Sequence, residues 1–125
     1  MNEFFGPIIH SFTRKDAIQT GDLVDVSSMG REAGIRFPVA ITAATYQRIV
    51  KPDEAAKSMG ESEEGRLWDV LYMFSVYARR SVGSEMNFSL VATFNGYPQE
   101  VNLNAVIGPG DDFAPVITIM LPTED

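Results

Sequence analysis

The chain has 125 residues, 45% hydrophobic and 22% charged, which is long enough for one domain with its own hydrophobic core. It has no cysteine, which excludes disulfides, thiolate chemistry and zinc sites with sulfur ligands, and which suits the reducing cytoplasm where we expect the protein to reside. The net charge is −7 and no lysine or arginine follows Arg80, so direct binding to nucleic acid is not expected.

Residues 1–12 lack the basic start and long apolar run of a signal peptide. No stretch approaches the roughly 20 apolar residues of a membrane span, so we expect no membrane partner. The chain shows no repeat, no low-complexity segment and no linker. Residues 1–125 are therefore interpreted as a single domain.

The first predicted helix begins at Arg14. Thr13 and Asp16 form a T-x-x-D capping box around its first turn. Gly21 is a suitable C-terminal stop, because glycine readily adopts the left-handed conformation that ends many helices. The DLVDV segment that follows alternates like a short strand.

The next segment continues with short elements. Ser27 or Ser28 is expected to cap a short helix that ends at Gly34. RFPVAIT is expected to be extended, because the residue before a proline disfavours helix. Thr42 then caps a predicted helix that continues to Val50.

An acidic stretch, residues 51–65, is predicted to be the most mobile loop, although residues 53–59 can form a short helix. Ser62 can cap the next predicted helix, residues 65–80. Its apolar side chains recur at helical spacing: Leu67, Val70, Leu71, Phe74 and Ala78, with Trp68, Tyr72 and Val76 widening the stripe. A helix this apolar is expected to be the central core helix, covered on more than one side.

The second half of the chain predicts a β-meander. Asn95-Gly96 is a strong two-residue hairpin pattern. It sets a register that agrees with the alternation of both strands: Phe94 opposite Tyr97, Leu90 opposite Val101, Phe88 opposite Leu103 and Met86 opposite Ala105. GPGDDFAP is the next predicted turn. VITIMLP is a third strand, and its two apolar faces suit a central position.

Together these elements predict an α+β fold. A three- to four-stranded, mostly antiparallel meander packs against the apolar helix over residues 65–80, with the short N-terminal helices completing the cover.

The candidate binding residues are polar side chains that the predicted local structure does not require, or acids in a turn: His10, Arg14, Lys15, Asp22, Asp25, Asp111 and Asp112. His10 is the only histidine and the one weak candidate for catalysis, since a general base also needs an orienting carboxylate and a pocket. We favour the alternative that His10 hydrogen-bonds to backbone beside a helix cap.

For Asp111 and Asp112 we favour a tight hairpin loop over a cation site, because a hard cation needs about six oxygen ligands. The chain has no G-x-S-x-G, H-E-x-x-H, Walker or G-x-G-x-x-G motif. We therefore expect no cofactor and no metal.

Four blocks of sequence resemble an uncharacterised family of small proteins found on bacterial plasmids, phages and integrated elements. The blocks are H-S-x-T-R, G-x-L-V-D-V-S, R-L-W-D-V-L and G-P-G-D-D, and the resemblance covers nearly the whole chain. The family has no assigned activity, so the resemblance implies a habitat and transfers no catalytic residue. Residues 51–64 are the variable part, which fits a surface segment.

Small size, acidic charge and this habitat favour a non-catalytic protein-binding function. The expected partner is a host protein, and an anti-CRISPR-like or anti-restriction-like inhibitor would occupy its basic nucleic-acid-binding surface.

Two alternatives stay open. One is an enzyme similar to ADP-ribosyltransferases, in which His10 holds the ribose of the nicotinamide cofactor and Glu124 or Glu100 is the catalytic acid. The other is a self-assembling structural module, with the apolar last strand pairing across a homodimer interface.

Overall fold

A computed structural model describes residues 12–124 of the chain. The sheet has five strands: β1 (Leu23–Asp25), β2 (Val39–Thr42), β3 (Glu85–Phe94), β4 (Tyr97–Pro109) and β5 (Pro115–Met120). Their spatial order is β1-β2-β5-β4-β3. Neighbouring strands are antiparallel except β2 and β5, which run parallel. The predicted α+β class is confirmed, but the sheet is mixed and larger than the three to four strands expected, because β1 and β2 join the meander.

In the part of the chain that the structure describes, four short helices and one long helix precede and connect these strands: α1 (Arg14–Thr20), α2 (Ser27–Glu32), α3 (Ala43–Thr45), α4 (Glu54–Ser58) and the long α5 (Glu63–Ala78). A π-helical turn, Tyr46–Val50, continues α3. The long helix was predicted over residues 65–80 and is found two residues earlier at each end, with the Ser62 side chain accepting a hydrogen bond from the Gly65 N–H as predicted. Among residues 12–124, no helix has the length and apolar character needed to cross a membrane.

The β3–β4 hairpin has the predicted register. Phe94 pairs with Tyr97, and the pairing continues to Glu85 opposite Val106. Asn95 and Gly96 have φ angles of +52° and +85°, the left-handed conformations that a two-residue turn of this twist requires.

The core lies between the sheet and α5. Its fully buried side chains include Val70 and Leu71 from the helix and Leu103 and Ile119 from the two central strands. The Phe74 and Phe88 rings meet edge to face at 5.8 Å between centroids. The buried side chains pack α5 against the core, but the predicted cover on more than one side is wrong at Trp68 and Tyr72, which are 37% and 48% exposed.

The last strand has the central position that its two apolar faces predict. β5 is hydrogen-bonded to β2 on one edge and to β4 on the other. It therefore has no free edge with which to pair across a dimer interface. A homodimer through another surface stays a prediction.

The predicted cap of α1 is confirmed and the predicted cap of α2 is wrong. Thr13 and Asp16 form the reciprocal capping box, and Gly21 ends α1 with a φ of +89°. Ser27 is instead the first residue of α2, which has no side-chain cap. Its hydroxyl accepts a hydrogen bond from the Val39 N–H at 3.0 Å, so Ser27 connects α2 to β2.

The acidic stretch over residues 51–65 is fastened to the rest of the fold. Residues 53–59 contain α4, as predicted. The Asp53 carboxylate accepts hydrogen bonds from the Ala56 N–H at 2.8 Å and from the Asn95 N–H at 3.0 Å, so one side chain caps α4 and holds the tip of the β3–β4 hairpin.

Candidate functional site

The turn between β4 and β5 meets the first turn of α1. The two carboxylate oxygens of Asp111 accept hydrogen bonds from the backbone N–H groups of Arg14 and Lys15, each at 3.0 Å. The turn itself is the tight loop predicted from GPGDD, closed by the Gly110 N–H donating to the Ala114 carbonyl at 2.8 Å. Asp111 thus supplies negative charge to a helix start that is distant in sequence.

The Arg14 side chain is half-buried and reaches the central strand β5. Its guanidinium donates to the Thr118 hydroxyl and to the Ile117 carbonyl, each at 2.7 Å. Burial lowers the pKa of Arg14 from its usual value, and the charges of Asp25 and Asp111 oppose that shift. Arg14 therefore ties α1 to the central strand β5.

These contacts bring five of the seven predicted binding residues around one cavity of about 400 Å³, which we call the α1 groove. The five residues are Arg14, Lys15, Asp25, Asp111 and Asp112. Asp25 also accepts hydrogen bonds from the N–H and hydroxyl of Ser27. Asp22 does not line the groove; its carboxylate accepts a hydrogen bond from the Thr20 hydroxyl at 3.0 Å. His10 lies outside the described residues.

A second concave surface lies between α5 and β3. Two adjoining cavities of about 430 and 660 Å³ share Asp69, Leu90 and Val91 in their walls. We call this surface the aromatic groove. Its walls also include Glu61, Arg66, Trp68, Tyr72 and Glu100.

The apolar part of the aromatic groove is exposed. The Trp68 and Tyr72 rings stack one helical turn apart, with centroids at 6.2 Å and planes 20° apart. Val91 on β3 is 65% exposed. Exposed large apolar side chains next to one another are typical of interaction surfaces.

The charged part of the groove is acidic at the surface and basic only beneath it. Glu61, Asp69 and Glu100 carry the carboxylates. Arg66 is only 4% exposed, and its guanidinium donates to Glu61 at 2.9 Å, to the Ile49 carbonyl at 3.1 Å and to the Thr93 carbonyl. The guanidinium also lies 4.8 Å from the centroid of the Phe94 ring. Arg66 and its partner Glu61 are therefore part of the structure, while Asp69 and Glu100 are exposed.

Burial raises the pKa of Asp69, the charge of Glu61 raises it further, and Arg66 partly opposes both. Ionisation of Asp69 therefore costs more free energy in the folded protein than in the unfolded chain.

Sequence interpretation placed Trp68 and Tyr72 in the core stripe and so missed this groove. Asp69 was the residue that contradicted that interpretation. On an α-helix Asp69 and Tyr72 lie three positions apart and share a face, so a charged residue there indicates that the face is exposed.

A comparison with protein-family models identifies the family of the chain. The chain belongs to the family of unknown function DUF6573. The match covers residues 1–125, which confirms the predicted resemblance to an uncharacterised family. No curated protein and no solved structure matches the chain. Membership in DUF6573 brings no assigned activity, so the residues of this chain are the basis for a function.

The two grooves of this DUF6573 protein differ in the polar groups they offer. In the α1 groove, the polar side chains already have partners within the protein. Asp111 accepts hydrogen bonds from two backbone N–H groups, and Arg14 donates to the Ile117 carbonyl and the Thr118 hydroxyl. In the aromatic groove, Asp69 and two aromatic rings are presented to solvent. Within residues 12–124, no three acidic or histidine side chains come together in a way that could hold a metal ion.

One candidate acid of the enzyme hypothesis has a structural role. The Glu124 carboxylate accepts hydrogen bonds from the Thr42 hydroxyl at 2.8 Å and from the Thr45 hydroxyl and the Leu121 N–H at 2.9 Å. Glu100, the other candidate, is exposed on β4 and lines the aromatic groove.

Proposed function

We propose that this protein is a non-catalytic binding protein that docks on the basic face of a host protein through the aromatic groove. The observation that carries the proposal is the exposed, stacked pair Trp68 and Tyr72, with Asp69 between them in sequence on the same helix.

The residue types of the groove suit recognition of arginine and lysine side chains. Tryptophan and tyrosine are enriched among the residues that dominate protein–protein binding energies. A guanidinium or ammonium group is attracted to the face of an aromatic ring, and a neighbouring carboxylate can pair with the same cation. Trp68, Tyr72 and Asp69 offer both interactions within one helical turn.

The charge of the whole chain supports a basic partner. The net charge is −7, and among the described residues that line the aromatic groove the one basic residue, Arg66, is buried and hydrogen-bonded. A long-range negative field accelerates encounter with a positively charged surface and disfavours acidic partners.

The state of Asp69 also supports a binding role. Its charge is partly desolvated and lies near that of Glu61, which raises its pKa and works against folding. Residues that reduce stability without a structural gain are typical of functional sites, where the cost is recovered when the partner binds.

We further propose that the setting is a bacterial mobile element, as the sequence resemblance implies, and that the protein acts in the cytoplasm as a counter-defence inhibitor. An acidic protein that covers the basic nucleic-acid groove of a defence nuclease would block its substrate by charge competition. Direct binding to nucleic acid is not part of this proposal, because the described residues of the aromatic groove include no exposed lysine or arginine.

The test is affinity capture from bacterial host lysate at low salt with the wild-type chain and matched variants. Trp68→Ala and Asp69→Asn are expected to lose a partner that the wild type retains. Phe113→Ala is the control, since Phe113 is an aromatic residue 85% exposed in the β4–β5 turn, outside the aromatic groove.

The captured partner is then titrated with fluorescent nucleic acid in the presence of each variant. We expect the wild type and Phe113→Ala to displace the nucleic acid and Trp68→Ala to leave it bound. Absence of any partner, or a partner retained equally by Trp68→Ala, would refute the proposal. A partner whose nucleic-acid binding is unaffected would refute the inhibitor mechanism alone.

A further inference from the structure

A separate cavity of about 370 Å³ lies at the C-terminal end of α5. Its floor includes Ile107 and Ile117, which are directly paired across β4 and β5. Phe74 and Ala78 form the helical wall, and residues 34–37, which follow α2, form the opposite side. Phe74 and Ile117 are almost fully buried, so the bottom of the cavity is apolar and built from the core itself.

Two arginines line this apolar cavity, Arg36 from the loop after α2 and Arg79 from the end of α5. Both are exposed. In the described part of the chain, neither guanidinium takes part in an ion pair or a side-chain hydrogen bond. The described residues that line the cavity include no aspartate or glutamate. In a protein with a net charge of −7, this is a local reversal of charge.

We propose that this cavity binds a small amphipathic carboxylate. The aliphatic part of the ligand lies on Ile107, Ile117 and Phe74, and the carboxylate pairs with Arg36 and Arg79. The volume is within the range of about 300–1,000 Å³ that small-molecule sites occupy, and such sites are apolar with a few polar groups that fix orientation. Arginine suits the polar role because its planar fork matches a carboxylate.

The end of α5 does not oppose an anion as strongly as a free helix end would. The Tyr77 carbonyl accepts a hydrogen bond from the Arg80 N–H at 3.0 Å, and the Ala78 carbonyl accepts one from the Ser81 N–H at 3.3 Å. Carbonyls that already have donors contribute less to the negative pole of the helix. The charge of Arg79 at this end adds to the positive field at the cavity.

The site is independent of the proposed partner surface. Trp68 and Arg79 are separated by about 16 Å along the axis of α5, at a rise of about 1.5 Å per residue. Substitutions at one site can therefore be tested without altering the other, and failure at one leaves the other proposal standing.

The test is a titration of the full chain with octanoate, in which binding is measured by calorimetry and by changes in amide NMR chemical shifts. We expect saturable binding with one site, and shifts confined to residues around Ile107, Ile117 and Phe74. Arg36→Gln and Arg79→Gln should each weaken binding about tenfold, since each removes a charge-assisted hydrogen bond. Arg80→Gln is the matched control and should bind octanoate normally, because Arg80 does not line the cavity.

Octan-1-ol and octyltrimethylammonium bromide separate the contributions of tail and charge. The alcohol is expected to bind more weakly than octanoate, and the cationic amphiphile weakest of all. The proposal fails if octanoate does not saturate a single site, if the alcohol binds as tightly as the carboxylate, or if Arg80→Gln weakens binding as much as the two cavity variants.

Discussion

The backbone N–H of Arg14 donates a hydrogen bond of 3.0 Å to the carboxylate of Asp111, so the start of the first helix is capped from the turn before the last strand. The second carboxylate oxygen accepts from the next N–H, that of Lys15, at the same distance. The Arg14 side chain makes a further contact between α1 and the sheet, because its guanidinium donates a hydrogen bond to the Thr118 hydroxyl on β5. Two residues that sequence interpretation proposed for binding therefore hold α1 on the sheet.

Asp111→Asn is expected to lower the free energy of unfolding by about 1 kcal/mol, as loss of a helix cap does. The amide keeps one acceptor oxygen but loses the negative charge and the second hydrogen bond. Urea denaturation measures the effect. Asp112→Asn is the matched control, since the Asp112 carboxylate makes only a local bond to the Ala114 N–H, which an amide oxygen can also accept. Equal stability of the two variants would contradict the proposed role of Asp111.

Arg66→Met is expected to lower the free energy of unfolding by about 3 kcal/mol. The substitution keeps the apolar stem but leaves Glu61 and the carbonyls of Ile49 and Thr93 without their donor. Arg66→Lys should recover little of this loss, because a single ammonium group cannot reproduce the planar fork. Arg80→Met, at an exposed position, should stay within about 0.5 kcal/mol of the wild type. A small loss in Arg66→Met would show that the buried guanidinium is not required.

Glu124 makes a prediction about acid stability. Burial raises its pKa, but the hydrogen bonds from Leu121, Thr42 and Thr45 outweigh burial and lower it below the usual 4.5. Its stabilisation is therefore present above about pH 4.5 and is lost as the pH falls through the pKa of the folded state.

Glu124→Gln should accordingly cost about 1 kcal/mol at pH 7 and less at pH 3, because the stabilisation by the charged carboxylate decreases as the pH falls below 4.5. Chemical denaturation at the two pH values tests this difference. Glu32→Gln, at the exposed end of α2, controls for the change in net charge. A deficit that is the same at both pH values would show that the charge of Glu124 is not what stabilises the C-terminal turn.

The parts of the fold that the sequence predicts are those set by neighbouring residues. The α1 capping box and the register of the Asn95-Gly96 hairpin depend on residues a few positions apart, and both are confirmed. The parallel pairing of β2 with β5 joins Val39 to Ile117, and no local pattern indicates which distant strand a short segment will join. That pairing accounts for the underestimated strand count.

The candidate site shows the same limit. The α1 groove depends on the contact of Asp111 with Arg14, which only the tertiary structure creates. Trp68 and Tyr72 fit the helical apolar stripe, yet no neighbouring element buries this face of α5. A periodic pattern gives the face of a helix but not the number of layers that cover it. Exposure of the aromatic groove depends on tertiary packing. In the sequence around Trp68 and Tyr72, the charged residue Asp69 is what indicates that this helical face is exposed.

The last prediction concerns Asp69, where stability and binding should change in opposite directions. Because burial and Glu61 raise its pKa, the folded state favours the protonated form, so stability decreases as the pH rises through the unfolded and then the folded pKa. Asp69→Asn should therefore raise the free energy of unfolding at pH 7 and have little effect at pH 3. The same variant should lose the partner, whereas Asp111→Asn should be less stable and still bind. An Asp69→Asn variant that is less stable at pH 7, or that binds normally, would show that this carboxylate serves the fold rather than the aromatic groove.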